Sequence, residues 1–223
     1  EKTKDNTIVA SRYLVQKEGE KLIVPELKNK LELKPHDTVL DIGSGTGNLT
    51  IPISFLVEEI TALDHEKCLD ALRKRTPEAE NINYLPGNFL DIEIRQSFKK
   101  IFCYGVLHYL SNIDQVLFAV NKAAGLLENN GILLLGDIPN ADNLKRFISN
   151  PKGRKEYNLF LKKLPSNATD KNSIKFYLQD RKLDSNCLEF NDTVVEKIKS
   201  TMISNGYSVN VVRQDIIIKN TNN

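Results

Sequence analysis

The chain lacks several features that mark particular classes of protein. It has no tryptophan and only three cysteines, which are far apart and lack CxxC spacing: Cys68, Cys103 and Cys187. We therefore predict reduced thiols, without a disulfide framework or a metal site. Its apolar runs are all shorter than the roughly 18 residues that a membrane span needs, and its first residues are too polar for a secretory signal. A soluble, cytoplasmic protein is expected.

An excess of charge of either sign is also missing. The 223 residues include 31 basic and 29 acidic side chains, which are interspersed and leave a net charge of +2. No broad basic face for nucleic acid is expected, and no membrane partner. The length suits one sizeable core, so we predict a single domain over residues 1–223 that acts as a monomer or a homodimer.

From residue 38 onward, short apolar runs alternate with longer amphipathic segments, which is the pattern of a parallel sheet with crossover helices. Strands are predicted at 38–42, 59–63, 82–86, 100–104 and 131–137, and helices are predicted to begin near residues 48, 66 and 112. Residues 1–37 are predicted to form an N-terminal helical segment, and Asn130 and Gly131 a turn. Residues 138–190 are predicted to form a helical insertion that covers the site as a substrate-binding lid.

One short segment carries the strongest chemical signal. Residues 39–50 read VLDIGSGTGNLT, in which an apolar run ends near Asp41 and glycines follow at 43, 45 and 47. Such a turn after a strand lets backbone N–H groups approach a ligand without an intervening Cβ. A phosphate-binding P-loop is excluded because no lysine follows Gly47. A dinucleotide site prefers GxGxxG, so the GxGxG spacing with Asn48 in the last position disfavours NAD without excluding it.

This motif resembles the first motif of the class I S-adenosylmethionine (SAM) methyltransferases, and later segments follow in that family's order. They are ITALDHEK at 60–67, LPGNFLD at 85–91, KIFCYGVLHYL at 100–110, LENNGILLLGD at 127–137 and GYSVNVVRQDIIIK at 206–219. The resemblance implies an α/β fold: a doubly wound, Rossmann-like sheet of seven strands with an antiparallel last strand. A helical insertion after strand five is expected with it.

The resemblance also implies the cofactor, SAM, with S-adenosyl-L-homocysteine as the product. It implies that Asp64 binds the ribose hydroxyls, that Asp41 lies near the amino end of the methionine, and that Asn88 and Phe89 flank the adenine. The full predicted cofactor-binding set is Asp41, Gly43, Ser44, Gly45, Gly47, Asp64, His65, Asn88, Phe89, Tyr104 and Tyr13. Structural alternatives stay open, because the glycines can form a plain turn, Asp64 can cap a helix and Phe89 can belong to the core.

Methyl transfer requires alignment of the acceptor and the handling of one acceptor proton. His108 is the only histidine near the predicted carboxyl end of strand four, and histidine titrates near neutral pH, so it is the predicted catalytic base. The alternative is that its side chain braces the loop. The predicted acceptor-binding residues are Tyr109, Asp137 and Asn140, with no metal. The Lys and Arg residues of 145–163 fit either an anionic substrate or a solvated helix face.

The fourth-strand segment lacks the [DNS]PP[YFW] signature of enzymes that methylate bases, and the charge is near neutral, which disfavours a nucleic-acid substrate. The predicted function is methyl transfer to an oxygen or nitrogen atom of a small molecule in a bacterium. A sugar, or a phosphorylated or nucleotide-linked metabolite of a surface-polysaccharide or secondary-metabolite pathway, is the expected acceptor. Two alternatives stay open: a SAM-fold binding module without catalysis, and a nicotinamide-dependent oxidoreductase.

Overall fold

The computed structural model of the chain describes residues 17–163, 187–212 and 215–221. Tyr13 and residues 164–186 of the predicted insertion lie outside these ranges. The helices within them are α1 (Lys17–Leu31), α2 (Thr50–Ser54), α3 (Glu66–Arg75), α4 (Ile113–Gly125), α5 (Ala141–Ser149), α6 (Pro151–Lys163) and α7 (Asp192–Ser204). The strands are β1 (Thr38–Ile42), β2 (Glu59–Asp64), β3 (Ile82–Pro86), β4 (Phe98–Tyr104), β5 (Leu127–Gly136), β6 (Ser208–Val212) and β7 (Asp215–Lys219).

The seven strands form one sheet in the order β3-β2-β1-β4-β5-β7-β6. Strands β1 to β5 pair in parallel, whereas β7 runs antiparallel to both β5 and β6. The predicted seven-stranded, Rossmann-like sheet with an antiparallel last strand is therefore confirmed. The strand order reverses between β1 and β4, and the crevice at the carboxyl ends of the strands at such a point is where open α/β sheets bind their ligands.

Local signals explain where the main helices begin. The Asn112 side chain accepts a hydrogen bond from the Gln115 N–H at 2.9 Å and caps α4. The His65 side chain caps α3 in the same way, and Asn191 caps α7. Because these side chains satisfy N–H groups that have no partner within the helix, they fix the first turn of each helix at the edge of the sheet.

The core lies on both faces of the sheet, because successive strand residues point to opposite sides. On one face, Ile101 packs in a cluster with α4 and α7, while its neighbour Phe102 packs on the other face with α1, α2 and α3. Both side chains are fully buried. Helices on both faces thus hold the parallel strands in fixed register, and the strand ends form a rigid platform.

The start of the fifth strand differs from the prediction. A turn was predicted at Asn130 and Gly131, but β5 already begins at Leu127, so this prediction is wrong. Asn130 takes a left-handed φ of 60°, and the pairing with β4 shifts register between Phe98 and Lys100. The asparagine therefore marks an irregularity inside the strand, which suits its tolerance of left-handed backbone.

Within the part of the chain that the structure describes, no helix combines the length and the apolar character needed to cross a membrane.

Candidate active site

The glycine-rich turn follows β1, and its three glycines have different roles. Gly43, Gly45 and Gly47 all have left-handed φ angles, of 79°, 56° and 88°. A Cβ at Gly43 would lie 2.3 Å from a methyl carbon of Val106, and one at Gly47 would lie 2.1 Å from a methyl carbon of Leu72. A Cβ at Gly45 would meet nothing within 4 Å. Two glycines therefore allow close packing, and Gly45 leaves open space at the turn.

Asp64 ends β2 and ties this turn to the neighbouring strand. Its Oδ2 accepts a hydrogen bond from the Gly45 N–H at 2.7 Å, and its Oδ1 accepts one from the His65 N–H at 2.6 Å. His65 in turn caps α3 by accepting a hydrogen bond from the Lys67 N–H at its Nδ1. The carboxylate thus stands at the carboxyl edge of the sheet, where backbone donors fix its orientation.

Asp41 is a buried acid in β1, with 2% of its surface exposed. The Thr50 hydroxyl donates a hydrogen bond to its Oδ2 at 2.6 Å. Burial raises the pKa of the Asp41 carboxyl from its ordinary value of 3.8 to about 7; the Thr50 hydrogen bond opposes this shift, and the charge of Asp64 adds to it. A cationic ligand beside Asp41 would favour its charged form, so the residue is suited to a positively charged partner.

A cavity of about 770 Å³ opens at the carboxyl ends of β1 to β5. Most of the predicted site residues line it: Asp41, Gly43, Ser44, Gly45, Asp64, His65, Asn88, Phe89, Tyr104, His108, Tyr109 and Asp137. Because the cavity spans five strand ends, it joins the region predicted for the cofactor to the region predicted for the acceptor. In the described ranges, no group of three or more His, Cys, Asp or Glu side chains is arranged to hold a metal ion.

Asn88 and Phe89 follow β3 at one end of the cavity. The Asn88 side chain is exposed and forms a local turn, accepting from the Leu90 N–H at 3.1 Å and donating to Asp91 Oδ2 at 2.7 Å. Phe89 is buried, and the Lys122 ammonium lies 5.2 Å from the centre of its ring. Phe89 therefore belongs to the core and also lines the cavity, so the two roles considered from the sequence are compatible.

The opposite end of the cavity is formed by residues that follow β4 and β5. His108 lies in a 3₁₀ turn, is buried, and stacks at a tilt on Tyr109, with their ring centres 4.2 Å apart. Asp137 follows β5 with a left-handed φ of 53°. Its N–H donates to Asp215 Oδ1 at 3.1 Å, and Lys30 forms an ion pair with the same Asp215 carboxylate. The backbone of Asp137 is thus held by a contact with β7.

Of the predicted site residues that the structure describes, two do not line the cavity. Gly47 packs against Leu72, as described above. Asn140 caps α5 by accepting from the Asp142 and Asn143 N–H groups, and its Nδ2 donates to Asp192 Oδ1 at 2.9 Å. It lies instead at a separate cavity of about 140 Å³. None of the described residues of α5 or α6 lines the main cavity, so the predicted lid over 138–190 stays a prediction.

Two residues of the site were not predicted from the sequence. Thr50, the first residue of α2, binds Asp41, and Cys68, one turn into α3, lines the cavity beside Asp64. Burial raises the pKa of the Cys68 thiol to about 11, and the charge of Asp64 and a hydrogen bond to it act in the same direction. The thiol therefore stays protonated. Its place one helical turn beyond His65 was the available signal, since that spacing returns a side chain to the strand edge.

The arrangement defines a class of protein. A glycine turn after the first strand, an acid at the end of the second, and a cavity where the strand order reverses belong to Rossmann-like proteins that bind a nucleotide-type cofactor. Residues 39–131 match a family described as "Methyltransferase domain". An uncharacterized methyltransferase of Staphylococcus carnosus (strain TM300) is 30% identical over 112 residues. These are 50% of this chain and 52% of that protein, so the chain spans about half the length of this relative.

Two solved structures share the fold over most of the chain. The N-methyltransferase NodS from Bradyrhizobium japonicum WM9, in complex with S-adenosyl-L-homocysteine, has a TM-score of 0.60 at 15% identity and covers 93% of this chain and 88% of its own. The magnesium protoporphyrin IX methyltransferase ChlM from Synechocystis PCC 6803 has a TM-score of 0.58 at 16% identity, covering 93% and 86%. The chain thus shares the fold of these two methyltransferases, one of them bound to S-adenosyl-L-homocysteine, and its residues 39–131 match a methyltransferase domain.

The site contains features that fit such a cofactor. The Ser44 hydroxyl oxygen is buried at the cavity wall and has no hydrogen-bond partner among the residues that the structure describes. A buried hydroxyl without a partner costs free energy, and a polar ligand in the cavity would supply the missing hydrogen bond. The open position at Gly45 gives that ligand access to the backbone of the turn. These two observations favour a polar ligand lying directly on the glycine turn.

Proposed function

We propose that this chain transfers a methyl group from SAM to an oxygen or nitrogen atom of a small molecule. The observation that carries the proposal is one continuous cavity that joins the glycine turn and Asp64 to the aromatic and polar residues after β4 and β5. Its volume of about 770 Å³ lies in the upper part of the range of about 300 to 1,000 Å³ for small-molecule sites. A cofactor and a small acceptor can therefore share it.

The residues at the β1 to β3 ends hold the cofactor in this proposal. Asp64 binds the ribose, as the resemblance implies, and the glycine turn carries the methionine portion with Asp41 nearby. Bound SAM supplies an electrophilic methyl group on a positively charged sulfur. The buried carboxyl of Asp41 loses its proton when that cation binds, because the opposite charge compensates for the lost hydration.

The residues after β4 and β5 act on the acceptor. Tyr104 and Tyr109 give that end of the cavity an aromatic lining that excludes water and orients the acceptor. His108, buried in the same wall, takes the acceptor proton. The acceptor lone pair forms a bond to the methyl carbon while the carbon–sulfur bond breaks and its electron pair stays on sulfur. The sugar-type acceptors expected from the sequence are members of this small-molecule class.

Calorimetry tests which cofactor the protein binds. Purified protein is titrated with SAM, with S-adenosylhomocysteine and with NADH under the same conditions. The proposal expects binding of the first two and none of NADH. Tight binding of NADH without binding of SAM would overturn the assignment and support the nicotinamide alternative.

A turnover assay tests catalysis. Release of S-adenosylhomocysteine is followed with SAM and a panel of sugar phosphates, nucleotide sugars, free sugars and amines, and product masses are recorded. An added methyl mass on a panel member establishes the activity. If SAM binds but no compound of the panel or of a cell extract is methylated, the result would instead support a binding module without catalysis.

A further inference from the structure

A lysine of α4 binds the loop that follows β3. The Lys122 ammonium donates to three backbone carbonyls of this loop, those of Phe89 at 2.7 Å, Leu90 at 3.3 Å and Ile92 at 2.5 Å. An ammonium has three N–H donors, and the three carbonyls match them in number. Lys122 takes part in none of the ion pairs found among the described residues. Its charge therefore acts on the loop rather than on an acid.

The hydrogen bonds within this loop satisfy N–H groups and leave these carbonyls to the lysine. The Asn88 carbonyl accepts from the N–H groups of Asp91 and Ile92, at 3.0 Å each. The Asn88 side chain accepts from the Leu90 N–H at 3.1 Å. Backbone carbonyls that are shielded from water need a partner as much as N–H groups do. Loss of the Lys122 ammonium would therefore free the loop to move.

The loop is a wall of the main cavity, and the lysine lies behind it. Residues 87–90 line the cavity, whereas Lys122 does not. The ammonium lies 5.2 Å from the centre of the Phe89 ring. Ala119 and Ala123, which flank Lys122 on α4, line the cavity themselves. Lys122 thus acts on the cavity through the loop that it holds.

The strand order indicates which part of the cofactor meets this wall. In the proposed function, the methyl group on sulfur meets an acceptor at the ends of β4 and β5, and the ribose lies at Asp64 on β2. The adenine is joined to the ribose on the side away from the sulfur. The next strand in that direction is β3, at the edge of the sheet. The adenine portion therefore falls beside residues 87–90.

We propose that Lys122 is a positioning residue for the cofactor, which holds the loop after β3 as a fixed wall for the adenine portion of SAM without contacting SAM itself. This inference rests on the proposed function and adds to it. A loop that is ordered before binding lowers the cost of ordering it on binding. Loss of Lys122 should therefore weaken cofactor binding and raise the KM for SAM. The kcat should stay unchanged, because the methyl group and the acceptor lie at other strand ends.

A second basic residue holds the neighbouring wall and allows an internal comparison. Arg75, the last residue of α3, donates to the Thr46 carbonyl at 2.5 Å and to Asn48 Oδ1 at 3.1 Å. Thr46 and Asn48 line the cavity at the glycine turn, and Arg75 does not. The proposed function gives this turn to the methionine portion. Arg75 and Lys122 thus hold walls that face different parts of one cofactor.

Calorimetry with two ligands separates the two walls. S-adenosylhomocysteine carries both portions of the cofactor, whereas adenosine lacks the methionine portion. Lys122→Met, which removes the ammonium and keeps an unbranched side chain, should bind both ligands at least about tenfold more weakly, the loss typical of a hydrogen bond to a charged group. Arg75→Met should weaken binding of S-adenosylhomocysteine and leave that of adenosine unchanged.

Lys99→Met is the matched control for these variants. The Lys99 ammonium also donates to a backbone carbonyl, that of Asn129 at 2.8 Å, but it lies at the amino end of β4 and outside the cavity. This variant should bind both ligands as the parent does. Urea unfolding establishes which variants are folded under the conditions of the titration. If Lys122→Met does not fold, Lys122→Gln, whose amide donates two hydrogen bonds, carries the same comparison.

The outcomes distinguish this inference from the proposed function. Unchanged affinity for both ligands in the folded Lys122 variant overturns the inference, and so does an equal loss of adenosine binding in the Arg75 and Lys122 variants. Absence of adenosine binding in the parent also overturns it. Once an acceptor is known, a fall in kcat with an unchanged KM for SAM in the Lys122 variant would contradict the positioning role. Failure of the parent to bind SAM or S-adenosylhomocysteine refutes the proposed function itself.

Discussion

Replacing Asp41 with asparagine should separate stability from cofactor binding. The carboxyl is 2% exposed, and burial raises its pKa from 3.8 to about 7. The folded protein therefore holds this proton more tightly than the unfolded chain does. As pH rises from about 4 to about 7, the unfolded chain releases the proton first, so the free energy of unfolding falls over this window. Asparagine mimics the protonated side chain and keeps an oxygen that can accept from Thr50.

The expected size of this pH effect on the free energy of unfolding follows from the same pKa. About pH 5 lies two units below it, and each unit corresponds to about 1.36 kcal/mol, so the carboxyl should lower the unfolding free energy by about 2.7 kcal/mol between about pH 5 and pH 8. The asparagine variant lacks this dependence. The free energy of unfolding of the variant, relative to that of the parent, should therefore rise by that amount across this pH range. Any constant effect of the amide cancels in the comparison.

Urea unfolding of both proteins without cofactor, at several pH values in this range, measures the difference. The same two proteins are then titrated with SAM. The parent should bind SAM more tightly as pH rises through about 7, since the bound cation favours the charged carboxylate, whereas the variant should bind weakly at every pH. Parallel stability curves for the two proteins would refute the argument that Asp41 is a buried, proton-binding acid.

Three further substitutions test the rest of the site. Asp64→Ala should weaken SAM binding by about 10 to 150-fold, the equivalent of about 1.5 to 3 kcal/mol for a hydrogen bond to a charged group; calorimetry showing unchanged affinity in the folded variant would refute the ribose contact. Gly45→Val should abolish SAM binding, because its side chain enters the open space at the turn where the cofactor is proposed to lie. Gly125 also has open space around it but is not part of this turn, so Gly125→Val should leave SAM binding unchanged. Normal affinity in Gly45→Val would show that the turn does not hold the cofactor. His108→Asn should preserve SAM affinity and lower turnover by about 10² or more, and full turnover would remove His108 from the mechanism.

The sequence predicts the central strands well because their signals are local. The bounds of β1 and β3 are as predicted, and β2 extends by one residue, to Asp64. Each of these strands is a short apolar run closed by a polar or glycine-containing turn. The glycine turn and the residues after β4 were placed at one edge because parallel strands end together. That geometry brings most of the predicted site residues to one cavity.

Contacts between distant segments could not be predicted in this way. Asn140 was assigned to the acceptor because it follows strand five, but its side chain faces the first turn of α5, and an asparagine before a helix is a common cap. Gly47 was grouped with its neighbouring glycines, although only the packing of Leu72 reveals why a side chain does not fit there. Nothing in a local pattern shows that Asp215 holds the N–H of Asp137, 78 residues away along the chain.

The position of β7 inside the sheet has a consequence for how the protein folds. This strand follows all the others in the chain, yet it lies between β5 and β6 and pairs with both. Until it docks, the edge of β5 is exposed and β6 has no partner in the sheet, so the non-local pairing is expected to be a slow step. Because β7 also supplies Asp215, the backbone of Asp137 is fixed only when this step is complete. A nascent chain that has made only β1 to β5 can already form the glycine turn, whereas the part of the cavity formed after β5 is completed last.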